Sequence, residues 1–209
     1  MKKALDKLKS LFSCNKNILI FVFVISLIGI IFGALFNILI NESDKKLVVE
    51  QINEYINNIS TNKLNYLDSF KSALISNLIY YTLIWILGIS IIGVPLVVMM
   101  AFLKNFIIGF SIGSFILTYN IKGALLSIVY IFPHYVINVI LLIYLTVFSI
   151  MFSFKLIGSI MTKNSINFRS SMKKYSYILL ATIIIILFTT IMEVFITPNI
   201  LKLMSFLTK

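Results

Sequence analysis

Four stretches of this 209-residue chain run for 17 to 32 residues without a charged side chain, and a fifth, of 27 residues, carries one glutamate. They span 17–41, 72–103, 105–121, 123–154 and 175–201, the last broken only by Glu193. A helix needs about 20 apolar residues to cross the hydrocarbon core of a bilayer. A soluble domain of this size could not cover so much apolar surface, since 60% of its residues are hydrophobic and the mean hydropathy is +1.04. In lipid the apolar side chains need no cover, and a helix bonds its own backbone groups. The expected fold class is therefore an all-α integral membrane protein.

Runs 17–41, 123–154 and 175–201 each hold one crossing, and 72–121 holds two. About five transmembrane helices result, with an irregular, Gly/Pro-interrupted central helix pair. Charge sets the expected orientation. The N-terminus, 1–16, has five lysines and one aspartate, and 155–174 has Lys155, Lys163, Arg169, Lys173 and Lys174 and no acid. Both read as cytoplasmic. Segment 42–71 has five acids against four lysines and reads as extracytoplasmic. The chain then divides as one membrane domain: a basic cytoplasmic N-terminus 1–16, a first span 17–40, an extracytoplasmic amphipathic loop 41–72, a three-span block 73–154, a basic cytoplasmic loop 155–174 and a last span 175–201. The block would cross at about 73–93, 96–119 and 124–150, which leaves the C-terminus extracytoplasmic. The apolar run at 17–40 exceeds the ~7–15 residues of a signal peptide's core, and no Ala-x-Ala site closes it, so it reads as a retained anchor. The net charge of +11 belongs to these loops, and no nucleic-acid partner is expected. With one cysteine, Cys14, an internal disulfide is impossible.

The central block carries the informative residues. If its first helix ends near Gly93, Pro95 opens the next one, where its missing N–H costs least, and Lys104 falls within a span. If that helix runs on to Leu103, Lys104 sits at the surface and 106–119 is short for a crossing. Either way, irregular backbone is expected at membrane depth. Gly88, Gly93, Pro95, Lys104, Asn105, Gly109, Gly113, Pro133 and His134 are the expected structural or helix-breaking positions. The pairs Gly29/Gly33 and Gly109/Gly113 are strips where another helix can approach closely. Glu193 is the only acid in the spans and a weak counterpart for Lys104. His134, the only histidine, follows Pro133 and lacks a second ligand, so a structural use is expected over a metal or proton site. In the outer loop, Val48, Ile52, Tyr55 and Ile59 step by four, three and four along one helix face. That face reads equally as lipid-lying or as a docking surface for an extracytoplasmic partner.

Phosphate-loop, zinc-protease and nucleophile-elbow motifs are absent from the sequence. No catalytic, cofactor-binding or metal-binding residue is assigned, no cofactor is expected, and an enzyme acting alone is not expected.

The segment NLIYYTLIWILGISIIGVPLVVMMAFLKNFIIGFSIG, 77–113, resembles the stage II sporulation protein M family. Asn77 opens a span. Gly88 and Gly93-Val94-Pro95 form the glycine-proline stretch, Lys104-Asn105 the polar pair, and Gly109 with Gly113 the closing pair. The later stretch from Ile131 to Leu156 resembles the family's Pro-containing fourth span. Broader relatives have His-Gly followed by a glutamate there; this chain has His134-Tyr135, with Asn138 near the place of the acid. The resemblance implies five spans and a location in the mother-cell membrane during forespore engulfment in endospore formation. It also implies a non-catalytic anchor or scaffold for septal peptidoglycan degradation, whose partners are two hydrolases, stage II sporulation proteins D and P. The competing reading is a subunit of a membrane transporter or permease, with Lys104, His134 and Glu193 lining a path. A homo-oligomer is compatible with either.

Overall fold

The computed structural model describes residues 15–61, 63–90, 92–131, 134–162 and 167–203. Among these, every regular element is helical. The helices are α1 (Lys16–Leu39), α2 (Glu42–Ser60), α3 (Tyr66–Gly88), α4 (Gly93–Ile131), α5 (Tyr135–Thr162), α6 (Phe168–Ile191) and α7 (Thr197–Leu203), with a π turn at Met192–Ile196 joining the last two. Local chemistry sets several starts. Asn15, Asn65 and Asn167 cap α1, α3 and α6, their side-chain oxygens accepting from the backbone N–H groups of Asn17, Asp68 and Ser170. Asparagine is among the best residues for this, because it satisfies an N–H that the first turn leaves free.

Five helical stretches are long and apolar enough to cross a membrane: Lys16–Leu39, Tyr66–Gly88, Gly93–Tyr130, Tyr135–Met161 and Phe168–Leu203. The third is not one straight rod. Asn120 sits at φ 53° and ψ −128°, a left-handed conformation that asparagine tolerates better than most residues. There the chain reverses, and 121–131 packs back along the last turns of 93–119. The reversal requires Gly123, where a Cβ would lie 1.9 Å from the Phe115 carbonyl oxygen.

The fourth crossing helix therefore begins at Tyr135, not near residue 124. A charge-free run shows only that no charge is present, and in 121–131 Gly123, Leu126 and Ser127 turn inward while Ile121, Leu125 and Ile128 stay exposed. Likewise the basic stretch 155–174 is mostly helix. Lys155 lies inside α5, Lys173 and Lys174 lie inside α6, and the Lys155 ammonium donates to Ser171 Oγ at 2.8 Å across the two.

Helix α5 is the axis of the bundle and is buried along most of its length. Leu141, Leu142, Leu145, Val147 and Ile150 on α5 pack with Tyr81 and Ile84 of α3, Val97 of α4, Val22 of α1 and Ile186 of α6. The other helices present their outer faces to lipid, where exposed side chains such as Phe32, Ile79 and Ile184 are at home. A second apolar cluster closes the end of the bundle that carries α2. Ile56 and Ile59 of α2 meet Phe115 and Leu126 of α4 and Leu201 of α7.

Candidate functional site

The site is positioned by a close contact between two helices. Gly29 and Gly33 of α1 face Gly109 and Gly113 of α4. A Cβ at Gly33 would lie 2.0 Å from the Phe106 carbonyl oxygen, and one at Gly109 would lie 1.9 Å from that of Ile30. The order of the contacts, 29 with 102–106 and 34 with 113, makes the two helices parallel. Polar side chains lock the register one turn further on. Asn37 Nδ2 donates to the Phe110 carbonyl at 3.0 Å, and Ser114 Oγ donates to Asn37 Oδ1 at 3.1 Å. Small residues that admit a backbone, with polar groups bridging beside them, are the general means by which helices associate in lipid.

With α4 fixed in this way, Lys104 falls inside the bundle. It lies eleven residues after Gly93 in an unbroken helix, ~16 Å along its axis. Its ammonium donates to Asn77 Oδ1 at 3.0 Å and stands 5.1 Å from the centre of the Tyr80 ring. Asn77 is buried at the midpoint of α3, eleven residues from each end. The Glu193 carboxylate lies near enough to feel both the Asn77 side chain and the Lys104 charge. The bundle thus gathers a cation, an anion and an amide with both an acceptor and a donor end into one neighbourhood. A charge left without such polar surroundings at a helix centre would cost ~2.5–3.5 kcal/mol.

Glu193 reaches this position from the π turn. Pro198 lacks the N–H that would bond to the Val194 carbonyl, and its ring would crowd that oxygen. The helix relieves the conflict by widening over Met192–Ile196, and such turns are frequent at functional sites. Thr197, at the end of the turn, donates its hydroxyl proton to the Met192 carbonyl at 3.2 Å. The fully buried His134 lies 3.1 Å from the same hydroxyl through Nδ1, so the ring donates there, while Nε2 has no partner. Tyr130 and Tyr135 pair through their hydroxyls at 3.2 Å beside this histidine.

A cavity of about 200 Å³ lies against Glu193. Tyr55 of α2, Tyr66 and Ser69 of α3, and Tyr130 of the returning part of α4 also line it. Burial, with Tyr130 and Glu193 nearby, pushes the Tyr55 phenol well above its usual range. Ser69 is exposed, so the cavity reaches the surface at the α2 end.

These positions correct several sequence-based expectations. Gly88, Gly93 and Pro95 do bound the turn between α3 and α4, with Gly93 N–H bonded to the Ser90 carbonyl at 3.1 Å. Lys104 and Asn105 break nothing, because both lie mid-helix. Asn105 is fully buried and donates to the Ala101 carbonyl at 2.8 Å. Gly109 and Gly113 are packing positions for the same reason. Pro133 lies outside the described residues, as do Cys14 and Lys163. On the face Val48, Ile52, Tyr55, Ile59, all but Val48 pack against the chain itself. Ile59 is 3% exposed, Ile52 and Tyr55 pack on the same apolar cluster, and the Tyr55 ring meets Tyr130 edge-on at 6.2 Å. An apolar helix face finds its cheapest cover in the nearest apolar surface, here the chain's own.

Sequence reasoning missed two groups. One is Asn77 as the acceptor for Lys104, which an isolated asparagine within an apolar span could have signalled. The other is the knot at the opposite end of the bundle. There the Tyr175 hydroxyl donates to the Trp85 carbonyl at 2.9 Å and pairs with Ser149 Oγ at 2.7 Å, while Ser153 Oγ donates to the Gly88 carbonyl at 2.8 Å.

No curated protein and no solved structure matches the chain. The family model of stage II sporulation protein M matches residues 20–198, which takes in α1 from its second turn, the glycine seam, the Lys104–Asn77–Glu193 chain and the π turn. A multi-pass helical membrane protein with that match over most of its length belongs to the stage II sporulation protein M family.

Proposed function

We propose that this protein is a non-catalytic membrane scaffold for the septal peptidoglycan hydrolases of forespore engulfment, stage II sporulation proteins D and P. The carrying observation is family membership across residues 20–198. The architecture is suited to the role. Several of its buried polar groups hold helices to one another, as Asn37, Tyr81 and Ser153 do. Helix α2 is pinned to the bundle by Ile56 and Ile59 and by Tyr119, which donates to Asn53 Oδ1 at 2.8 Å. It thereby holds its polar face, with Glu50, Glu54 and Asn57 exposed, rigidly outward at one end of the bundle. We place the partner contacts on that face, which the charge distribution of the loops reads as extracytoplasmic, in a protein that its family membership would set in the mother-cell membrane.

The test is deletion of the gene in its native host, followed by complementation with the wild type and with an E50K/E54K variant. Deletion is expected to arrest sporulating cells with a flat, undissolved septum. The variant should insert normally yet fail to co-purify the two hydrolases. Normal engulfment in the deletion strain would refute the reading. It would favour a transporter subunit instead, a reading supported by one observation: a cation, an anion and a widened helix turn meet midway through the bundle.

A further inference from the structure

The Glu193 cavity combines three features that the scaffold reading does not use. It has a carboxylate on its wall, phenolic rings around it, and an opening at the α2 end. The carboxylate is only half-buried and faces the cavity. Lys104 does not line the space; its ammonium is engaged by Asn77 Oδ1 and the Tyr80 ring. Tyr55, Tyr66 and Tyr130 line the same cavity from three separate segments. A carboxylate set among aromatic rings is complementary to an ammonium group. The anion supplies the charge, and the ring faces attract a cation within about 6 Å while covering its alkyl substituents. A bare metal ion would need several oxygen ligands, and the cavity brings one carboxylate.

We propose that the cavity formed by Glu193, Tyr55, Tyr66 and Tyr130 is a binding site for an ammonium group, carried either by a small free amine or by an amine-bearing side chain or terminus of a polypeptide. The volume of about 200 Å³ admits a primary or methylated ammonium with a short alkyl stem. The site draws its ligand from the side of the membrane to which α2 belongs. Binding there sets a second cation against Glu193, which weakens the pull of the carboxylate on the Lys104 charge. Occupancy of the cavity is thereby linked to the Lys104 contact between α3 and α4. The inference does not rest on the hydrolase reading, and the purified protein tests it without them.

The experiment is thermal unfolding of the full chain in detergent, followed by fluorescence of Trp85, the only tryptophan. The added probes are methylammonium chloride, Nα-acetyl-lysine amide and sodium chloride at matched ionic strength. Methylammonium at tenfold excess over its Kd should raise the Tm by about 3–6 °C. Sodium chloride should not. The rise should vanish in E193Q and also in S69F, which plugs the mouth while leaving Glu193 and Asn77 in place. S69F keeps the test intact should E193Q be too unstable to purify. An equal effect of both amines identifies a free ammonium as sufficient. An effect of the lysine amide at tenfold lower concentration identifies a polypeptide amine as the better ligand. The proposal is overturned by an equal rise with sodium chloride, by a rise that survives in both variants, or by no rise with either amine.

Discussion

Substituting Gly33 by alanine tests the seam on which the site depends. The added Cβ would lie 2.0 Å from the Phe106 carbonyl oxygen, and 2.8 Å from both the Phe106 carbonyl carbon and the Phe110 nitrogen. All three are backbone atoms of α4, so no side chain can swing aside. Favourable contacts begin near 3.5 Å, so the helices must part locally by more than about 1 Å, and a gap of that size forfeits up to half of each contact's attraction. Overpacking of this kind costs about 1–3 kcal/mol. The separation also stretches the Asn37–Phe110 and Ser114–Asn37 bonds, now 3.0 and 3.1 Å, each worth about 0.6 kcal/mol in a membrane bundle. Alanine's helix preference returns at most ~1 kcal/mol. The net loss is about 1–3 kcal/mol, or a Tm lower by roughly 3–10 °C. Thermal unfolding of the detergent-purified chain, read by Trp85 fluorescence, measures it. The internal control is G158A, because a Cβ at Gly158 of α5 meets nothing within 4 Å. That variant should match the wild type or exceed it slightly. A G33A protein as stable as wild type, or a G158A protein that falls equally, would refute the reasoning.

The polar chain and the α2 clamp give two further expectations. N77L removes the acceptor for Lys104 and the polar neighbour of Glu193 together, which should destabilise the bundle by about 3 kcal/mol in the same unfolding assay. Adding K104M and E193Q to that variant should recover most of the loss, and a triple variant no better than N77L would defeat this account of the polar cluster. Introducing I56D and I59D places charges where the side chains are now 5% and 3% exposed. Helix α2 should then detach and be cut by protease between 42 and 60 while the spans stay protected. Unchanged resistance would mean that the apolar cluster is not what holds it.

Much of the architecture was legible before any tertiary contact was known, because a bilayer imposes length and charge rules on each segment separately. Charge-free runs marked five crossings. Glycines four apart marked the seam, and the step of Val48, Ile52, Tyr55 and Ile59 marked an amphipathic helix. Asn15, Asn65 and Asn167 stand where three helices start. The site was legible only in pieces. Lys104 and Glu193 are visible as unusual charges, yet their separation of 89 positions in the chain says nothing about distance.

The sequence alone determined that the chain must be helical, must cross the membrane and must tolerate close helix approach at two glycine pairs, since these follow from local hydropathy and side-chain size. Tertiary structure alone decided what each surface met. The two glycine pairs face each other, because two strips lacking side chains allow the closest backbone approach available in the bundle. The apolar face of α2 is covered by Phe115 and Leu126, which the reversal at Asn120 brings together, and by Leu201 of α7. Lys104 is held midway across because α3 ends at Gly88 and α4 begins at Gly93. The π turn before Pro198 carries Glu193 into the neighbourhood of the same asparagine. Burial of charge is a property of three-dimensional surroundings, and here those surroundings come from α3, α4 and the π turn, which only the fold brings together.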